Sequence, residues 1–564
     1  MNIGVIGWWN NGNQGDFAIL ENITSALATH HIVPIDVPFN ITPDEIARLN
    51  QLDFLIFGGG GLLTSSPAVP FDTFDVWGDD LHTPIGILGV GVDEVKPQHQ
   101  RAVQHLLERA MFVFVRDTVS QKLLNHPKVQ LMPDVTFWQP HTSTEHNFDL
   151  TTPNCGVNLR SLPSADRQQW VAILQSLPVR LHGVPLATYS AFEELETLRT
   201  IDPHMAHTFD YDLYQQLDLM IGTAFHSVVF AIQSGVPVIA IAYAPKVERL
   251  MFELGLSDFS LKTNEWPKVV ELVERIRREH TVIVAQLRES TRQLSERTRQ
   301  IMHDVQRLIE GTAPVQRGPE PPVSIIVLDS DSPQATDRTL ESCLTQTYSN
   351  TEIILVSSAP MQLGNPRVTH VCCAADASLA QRLNTGLAKA TGQYFTWIKA
   401  GDRYTLDAIA VLAQQLQRRP TATAVYADYY TMHEPRLIAA IQPVDEPNRL
   451  IRRNIIGPCF LYRRNQTSHF ALSTEQCPLP IYDFWLRTHQ SGRLIPIHSR
   501  LMYCQASNAT LNNHTDERRT RQQWRATQPW LKRTAWNIID TDVVESLIVL
   551  PFLKLRRQLI ARRP

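Results

Sequence analysis

The residues of this 564-residue chain best suited to chemistry stand just past its apolar runs. His226 lies in Ile221-Gly222-Thr223-Ala224-Phe225-His226-Ser227, after one such run and before the apolar stretch Val228–Ile232. An imidazole there serves as a general acid or binds an anion at a helix N-terminus, or it caps that helix as a structural group. Arg160 follows the run Cys155–Leu159, where parallel sheets present ligand-facing residues; a solvated surface arginine fits the position equally. Asn10-Asn11-Gly12-Asn13-Gln14-Gly15-Asp16 follows the first apolar run. A glycine-bearing strand-to-helix turn offers N–H groups and the positive end of a helix to an anion, or is a tight turn needing positive φ. Gly58-Gly59-Gly60-Gly61 admits a close backbone or ligand, but it lacks the spaced dinucleotide fingerprint, so NAD is not implied.

These residues require elements to hold them. Asn2–Gly7, Leu52–Phe57, Ile85–Val90, Phe112–Val115 and Val129–Met132 are expected strands over 1–150, and Gly156–Leu159, Leu219–Gly222 and Val238–Ala242 over 151–265. Continuous apolar strands separated by helices predict α/β architecture: two Rossmann-like halves with parallel sheets, facing a cleft. Residues 266–310 are helical, either a brace or a coiled-coil spacer. Residues 311–322 hold four prolines and two glycines, a linker. Residues 323–505 restart as α/β, with strands Val323–Leu328 and Glu352–Val356 around a helix Thr339–Gln346. Residues 506–564 form a basic amphipathic tail.

Composition bounds the remainder. Hydrophobic residues are 43% and charged residues 19%, as in folded chains of this length with three or four domains. Lys plus Arg is 52 against 56 Asp plus Glu, a net −4 that argues against nucleic acid as a partner. Seven scattered cysteines without paired metal-ligand spacing imply a reducing compartment. Met1 to Asn10 holds no basic residue, unlike a signal peptide, and no apolar run approaches the ~20 residues that span a bilayer, Leu547 to Leu553 being the longest candidate. A cytoplasmic protein is expected.

The ordered set over roughly 1–310 resembles the polysaccharide pyruvyl transferase family. It comprises Asn13-Gln14-Gly15-Asp16, Gly58 to Gly61, Gly86-Ile87-Leu88-Gly89-Val90-Gly91, Val115-Arg116-Asp117 with Ser120, Pro133-Asp134, Val157-Asn158-Leu159-Arg160, Ile221 to His226, Gly235-Val236-Pro237-Val238-Ile239 and Tyr243-Ala244-Pro245-Lys246. The resemblance implies transfer of the enolpyruvyl group of phosphoenolpyruvate to a saccharide acceptor as a ketal, with no cofactor. It gives His226 the proton-donor role and Arg160 the anion clamp, through a guanidinium fork that matches carboxylate and phosphate. Lys246 is a second cation, and Asp16 either orients a sugar hydroxyl or caps its helix. Asn13, Gly15, Gly59, Gly60 and Asn158 complete the substrate-binding set. The family usually carries an arginine two residues before the histidine; here Ala224 stands there.

Residues 321–505 resemble the inverting family-two glycosyltransferases with the A-type fold. The resemblance rests on Val323 to Val327, Leu383-Asn384-Thr385-Gly386-Leu387, Tyr394 to Asp402, Val425-Tyr426-Ala427-Asp428-Tyr429, Gly457 to Arg464 and Tyr482-Asp483-Phe484-Trp485-Leu486-Arg487. It implies a nucleotide-sugar donor and Mg²⁺ or Mn²⁺ held by an Asp-any-Asp triplet. Here Ser357 and Ser358 replace the nucleobase acids, Lys399-Ala400-Gly401 replaces the triplet, and Pro480-Ile481 replaces the base-supplying Glu-Asp pair. Lys399, Asp402 and Asp483 remain as site candidates, Asp402 the one metal candidate. Catalysis by this half and a non-catalytic carbohydrate-binding or scaffolding role both stay open, as does a single nucleotide-sugar-dependent glycosyltransferase built on the N-terminal half. Residues 514–564 carry eleven Lys or Arg against five acids, which suits either an anionic membrane face or a docked, solvated helix.

Overall fold

The structure is a computed structural model. It describes residues 1–9, 12–37, 42–63, 78–140, 151–160, 162–187, 194–205, 209–360, 365–433, 436–464, 479–505, 517, 519–521 and 523. Cys477 and nearly all of the basic tail, including Leu547 to Leu553, lie outside the described residues. The chain divides into two compact units, the first built on Met1–Arg317 and the second on Gly318–Met432 with Ala440–Pro564.

In the first unit, strands β1 (Asn2–Gly7), β2 (His31–Asp36), β3 (Phe54–Gly58), β4 (Ile85–Val90), β5 (Val113–Val115) and β6 (Val129–Leu131) form one sheet in the order β2-β1-β3-β4-β5-β6. Every pairing in it is parallel. Strands β7 (Asn154–Asn158), β8 (Arg180–Gly183), β9 (Leu219–Gly222), β10 (Val238–Ala242) and β11 (Ser260–Lys262) form a second parallel sheet, β11-β10-β9-β7-β8. Strands β3, β4, β9 and β10 are apolar throughout because both faces are covered by helices; β4 is buried at all six positions. Strands β2, β8 and β11 have no counterpart among the predicted strands. All three are sheet edges, half wetted, so their sequences mix polar residues with apolar ones, and β2 contains Pro34, which edge strands tolerate.

Four helices matter for the site. Helix α1 (Gln14–Ala26) follows β1, α2 (Phe225–Gln233) follows β9, and α3 (Pro245–Glu253) follows β10. Helix α4 (Val269–Glu310) runs 42 residues. Its N-terminal part, from Val269 to Leu287, packs in the core of the second sheet. Its C-terminal residues Met302, Val305 and Ile309 pack with Ile3, Val5 and Phe54 in the core of the first.

The second unit is one nine-stranded sheet. Its strands are β12 (Val323–Leu328), β13 (Thr351–Ser357), β14 (Val368–Cys372), β15 (Tyr394–Lys399), β16 (Arg403–Tyr404), β17 (Ala422–His433), β18 (Arg436–Gln442), β19 (Phe460–Arg463) and β20 (Arg493–Gln505). The order is β14-β13-β12-β15-β19-β17-β20-β16, with β18 beside β17. The first four are parallel neighbours, and β19 runs against both β15 and β17. The helix between β12 and β13 spans Pro333–Leu344 rather than the predicted Thr339–Gln346. Pro333 fits the first helical position and Ser332 caps it by accepting from the Ala335 amide, so the helix starts earlier than its apolar pattern. Helix α5 (Pro480–Ser491) precedes β20. Among the described residues no helix is long and apolar enough to cross a membrane, and the six described cysteines are free thiols.

Candidate functional site

The N-termini of α1 and α2 meet in the first unit. His226 is the second residue of α2, and a Cβ placed on Gly15 would lie 2.0 Å from its Nδ1. No real Cβ tolerates that contact, so only glycine lets α1 approach the imidazole. Asn13 caps α1: its Oδ1 accepts from the Gly15 amide at 3.2 Å, and its Nδ2 donates to Asp16 Oδ2 at 2.9 Å. Asp16 lies in the first helical turn, where a carboxylate complements the helix dipole. Gly59 and Gly60 both take positive φ; a Cβ on Gly60 would stand 3.5 Å from Asp16 Oδ1. Asn13, Gly15, Asp16, Gly60 and His226 are thus brought together. Gly59 instead admits Ile19, whose Cγ2 would lie 2.3 Å from an added Cβ, and so serves packing.

Two residues to which the sequence reading gave no role complete this place. Asp134 Oδ2 lies 3.6 Å from His226 Nε2 and 3.7 Å from Arg116 Nη1, with all three side chains buried. Asp134 Oδ1 accepts from the Thr136 amide at 3.1 Å and from Thr136 Oγ1 at 2.8 Å. Burial works to raise the Asp134 pKa, but the adjoining His226, the Arg116 charge and the Thr136 amide prevail and hold it well below the usual carboxylate range. Arg116 lies over the Phe225 ring at 4.3 Å, and its approach needs Gly91, where a Cβ would fall 2.5 Å from Arg116 Nε. The His226 ring stacks on Phe230, centroids 5.7 Å apart. Arg116 Nε, Asp134 Oδ2 and His226 Nε2 are buried without a hydrogen-bond partner. A base, an acid and a cation therefore converge with unspent polar atoms. Arg116 and Asp134 share one sequence signal with His226, a position just past the end of a strand.

The other candidates of this unit make contacts of their own. The Arg160 amide donates to Thr223 Oγ1 at 2.6 Å, and its guanidinium charge acts on the buried Glu194 carboxyl, whose pKa burial raises. Asn158 is fully buried: its Nδ2 donates to the Val184 carbonyl (2.9 Å) and Glu194 Oε1 (3.0 Å), and its Oδ1 accepts from the Ala224 amide (3.2 Å). Its amide ties β7 to the start of α2. Lys246 begins α3 with Nζ 5.6 Å from the Tyr243 ring. Ala224 is the cap residue of α2, buried in the core of the second sheet. Arg116, which follows β5 of the other sheet, reaches the Phe225 ring and the Asp134 carboxylate that faces His226.

In the second unit, Lys399 ends β15, and burial lowers its pKa against the opposing pull of Asp402 and Cys504. Asp402 is 1% exposed; its Oδ1 accepts from the Gln505 amide at 2.9 Å and its carbonyl accepts from Thr339 Oγ1 at 2.7 Å. Gly401 has φ +96 and a Cβ there would meet Gln505 Cδ at 2.6 Å. The turn after β15 is thereby sewn to the end of β20. Asp483 accepts from Arg487 Nε at 2.9 Å, one turn along α5. Ser357 Oγ lies 2.6 Å from both the Ala359 carbonyl and His370 Nε2. Among the described residues no three His, Cys, Asp or Glu side chains form a group that could hold a metal ion. Asp402 does not fit Mg²⁺ or Mn²⁺, because its carboxylate is buried and already accepts a backbone amide.

Comparison with known proteins agrees with this division. Residues 13–245 match the family model described as polysaccharide pyruvyl transferase, and residues 323–472 match glycosyl transferase family 2. The chain therefore carries two transferase-family segments in tandem. It is 25% identical over 186 residues to WcaA of Escherichia coli (strain K12), a protein whose name assigns it to colanic acid biosynthesis as a glycosyl transferase. That match covers 30% of this chain and 63% of the relative, so the chain spans less than two thirds of that protein's length. Among solved structures, S. aureus TarS 1-349 aligns at 13% identity over 35% of this chain and 68% of its own, with a TM-score of 0.27. The mannosyltransferase PcManGT of Pyrobaculum calidifontis, solved with GDP-Man and Mn²⁺, aligns at 18% identity over 40% of this chain and 66% of its own, also at 0.27.

Proposed function

We propose that the first unit transfers pyruvyl groups from phosphoenolpyruvate to a saccharide in the synthesis of a surface glycan. The observation that carries this reading is His226 set between two helix N-termini, beside Asp134 and Arg116, with polar atoms buried and unspent. Protonated His226 gives its proton to the methylene carbon of phosphoenolpyruvate, and the neighbouring carbon becomes oxocarbenium-like. One sugar hydroxyl bonds to that carbon and returns its proton to the imidazole. The carbon–oxygen bond to phosphate then breaks, phosphate leaving with the electron pair. A second hydroxyl bonds to the same carbon, its proton departs with phosphate, and the ketal is closed. Asp134, held ionised, faces His226 Nε2 at 3.6 Å and orients the imidazole. Arg116, Arg160 and the helix N-termini answer the negative charge of the donor. The step needs no metal or cofactor.

The test incubates the full chain with phosphoenolpyruvate and free or lipid-linked oligosaccharides and measures phosphate release. Acceptor-dependent release that His226→Ala removes is the expected result; release unchanged by that substitution would sink the reading. For the second unit we propose a non-catalytic, saccharide-binding role, because Asp402 and Asp483 are both engaged within the fold and Lys399 stands where a cation would sit. Nucleotide-sugar turnover by that unit would overturn it. We place the protein in the cytoplasm, with the basic tail as the segment that would meet the inner membrane face.

A further inference from the structure

The buried stripe of α4 changes character along its length. It is apolar, His280 apart, from Val269 to Leu287 and again from Met302 to Ile309, but between them lie Thr291, Ser295 and Thr298. At that middle stretch a groove of about 360 Å³ opens between α4 and the C-terminal end of α2. Arg288, Arg292 and Arg299 line it, with Glu296 the one acid. Arg292 is held by Glu289 and Glu296 at 2.7 Å each, and Arg299 Nε donates to the Trp138 carbonyl at 3.3 Å. Arg288 makes no ion pair among the described residues.

The groove is also lined by Gln233 and Ser295, which are 2% and 4% exposed. Gln233 Oε1 and Ser295 Oγ are buried without a hydrogen-bond partner, a rare state in folded proteins. The Gln233 amide has a settled orientation. Thr136 Oγ1 spends its hydrogen on Asp134 Oδ1, so it accepts from Gln233 Nε2 at 3.0 Å and the amide oxygen is left over.

We propose that this groove binds an anionic saccharide, a sugar bearing a phosphate or a carboxylate. The arginine-rich rim calls for negative charge, and Arg288 is the cation with none to answer. The leftover Gln233 oxygen calls for a donor, which a bare phosphate dianion or carboxylate lacks and a sugar hydroxyl supplies; Ser295 Oγ donates to a ring or hydroxyl oxygen. The volume exceeds the roughly 30 Å³ share of a water many times over and falls in the range of small-ligand sites. Gln233 lies seven residues beyond His226 on α2, so the groove is about 10 Å along the helix from the imidazole. It is nonetheless joined to it, because Gln233, Thr136, Asp134 and His226 stand in one chain of polar contacts. An occupant that draws on Gln233 acts through Thr136 on the carboxylate facing His226, which couples the two places.

Calorimetric titration of the full chain tests this with glucose 1-phosphate and with glucuronate as the two anionic sugars, and glucose and inorganic phosphate as controls. The readout is the component of binding that Arg288→Ala removes. Arg288 is exposed on the helix, so the variant should fold, as circular dichroism would check. For at least one anionic sugar that component should weaken about tenfold on loss of one charge-assisted bond and a few-fold in Ser295→Ala. Saturation should also move the His226 ring resonances in the wild type and not in Thr136→Val. No Arg288-dependent component, or one that inorganic phosphate or glucose fills as tightly, overturns the site. His226 resonances unmoved at saturation overturn the coupling.

Discussion

His226 stands just past the end of β9 and Asp402 just past the end of β15, both after parallel strands, yet the two side chains spend their polar atoms differently. In the first unit Gly15 and Gly91 clear space, and Asp134 comes within ion-pair distance of both Arg116 and His226 with atoms left unbonded. In the second unit the Asp402 carboxylate takes the Gln505 amide, and Asp483 takes Arg487. A titratable residue at a strand end is a poor guide by itself. What separates a reactive place from a structural one is where each donor and acceptor goes.

That contrast can be broken most forcefully at His226. His226→Ala should lower phosphate release by about 10²- to 10⁴-fold, the usual contribution of a positioned acid, while circular dichroism still shows a folded chain; equal release would erase the distinction between the units. Gly15→Ala tests the clearance. A methyl in that position must push the imidazole aside, so turnover should fall by about 10²-fold, the cost of a misplacement near 1 Å. Stability should drop by about 1–3 kcal/mol, as for other overpacked sites, seen in chemical denaturation.

The second unit should answer the opposite way. Asp402→Asn should cost about 1–3 kcal/mol of stability, because a buried amide loses its charged acceptor, and should leave Mn²⁺ affinity unchanged in calorimetry. Tight Mn²⁺ binding abolished by that substitution would show a working metal centre and reverse the comparison. The smallest effect concerns acid. The folded-state pKa of Asp134 is depressed, so its contribution to stability is present above the ordinary carboxylate value of about 3.9 and fades as pH falls below it. Acidification should therefore cost the wild type stability that Asp134→Asn does not lose, and parallel acid-unfolding curves for the two would refute the assignment.

Much of this was legible from the residues, and the gaps have physical causes. Central strands such as β4 and β10 show as unbroken apolar runs because both of their faces are covered. Edge strands β2, β8 and β11 do not, because one side of each meets solvent. His226, Gly15 and Asp16 were legible as strand-to-helix turn residues. Arg116 and Asp134 were not assigned, since their roles depend on partners across the unit: 110 residues separate Arg116 from His226, and nothing local marks their approach. Nor does anything local mark the bond from Asn158 to Glu194, 36 residues away.

Helix α4 has a mechanical meaning. At 42 residues it is a rod of roughly 63 Å, fastened by greasy contacts to one lobe near its start and to the other near its end. Jaws mounted on such a rod do not swing apart about a loose hinge. To gape, they must twist around its hydroxyl-bearing middle, bend it, or peel one end free. The axle thus limits how far the two sheets part, and hydrogen exchange should find its amides from Thr291 to Thr298 yielding before those at either fastened end.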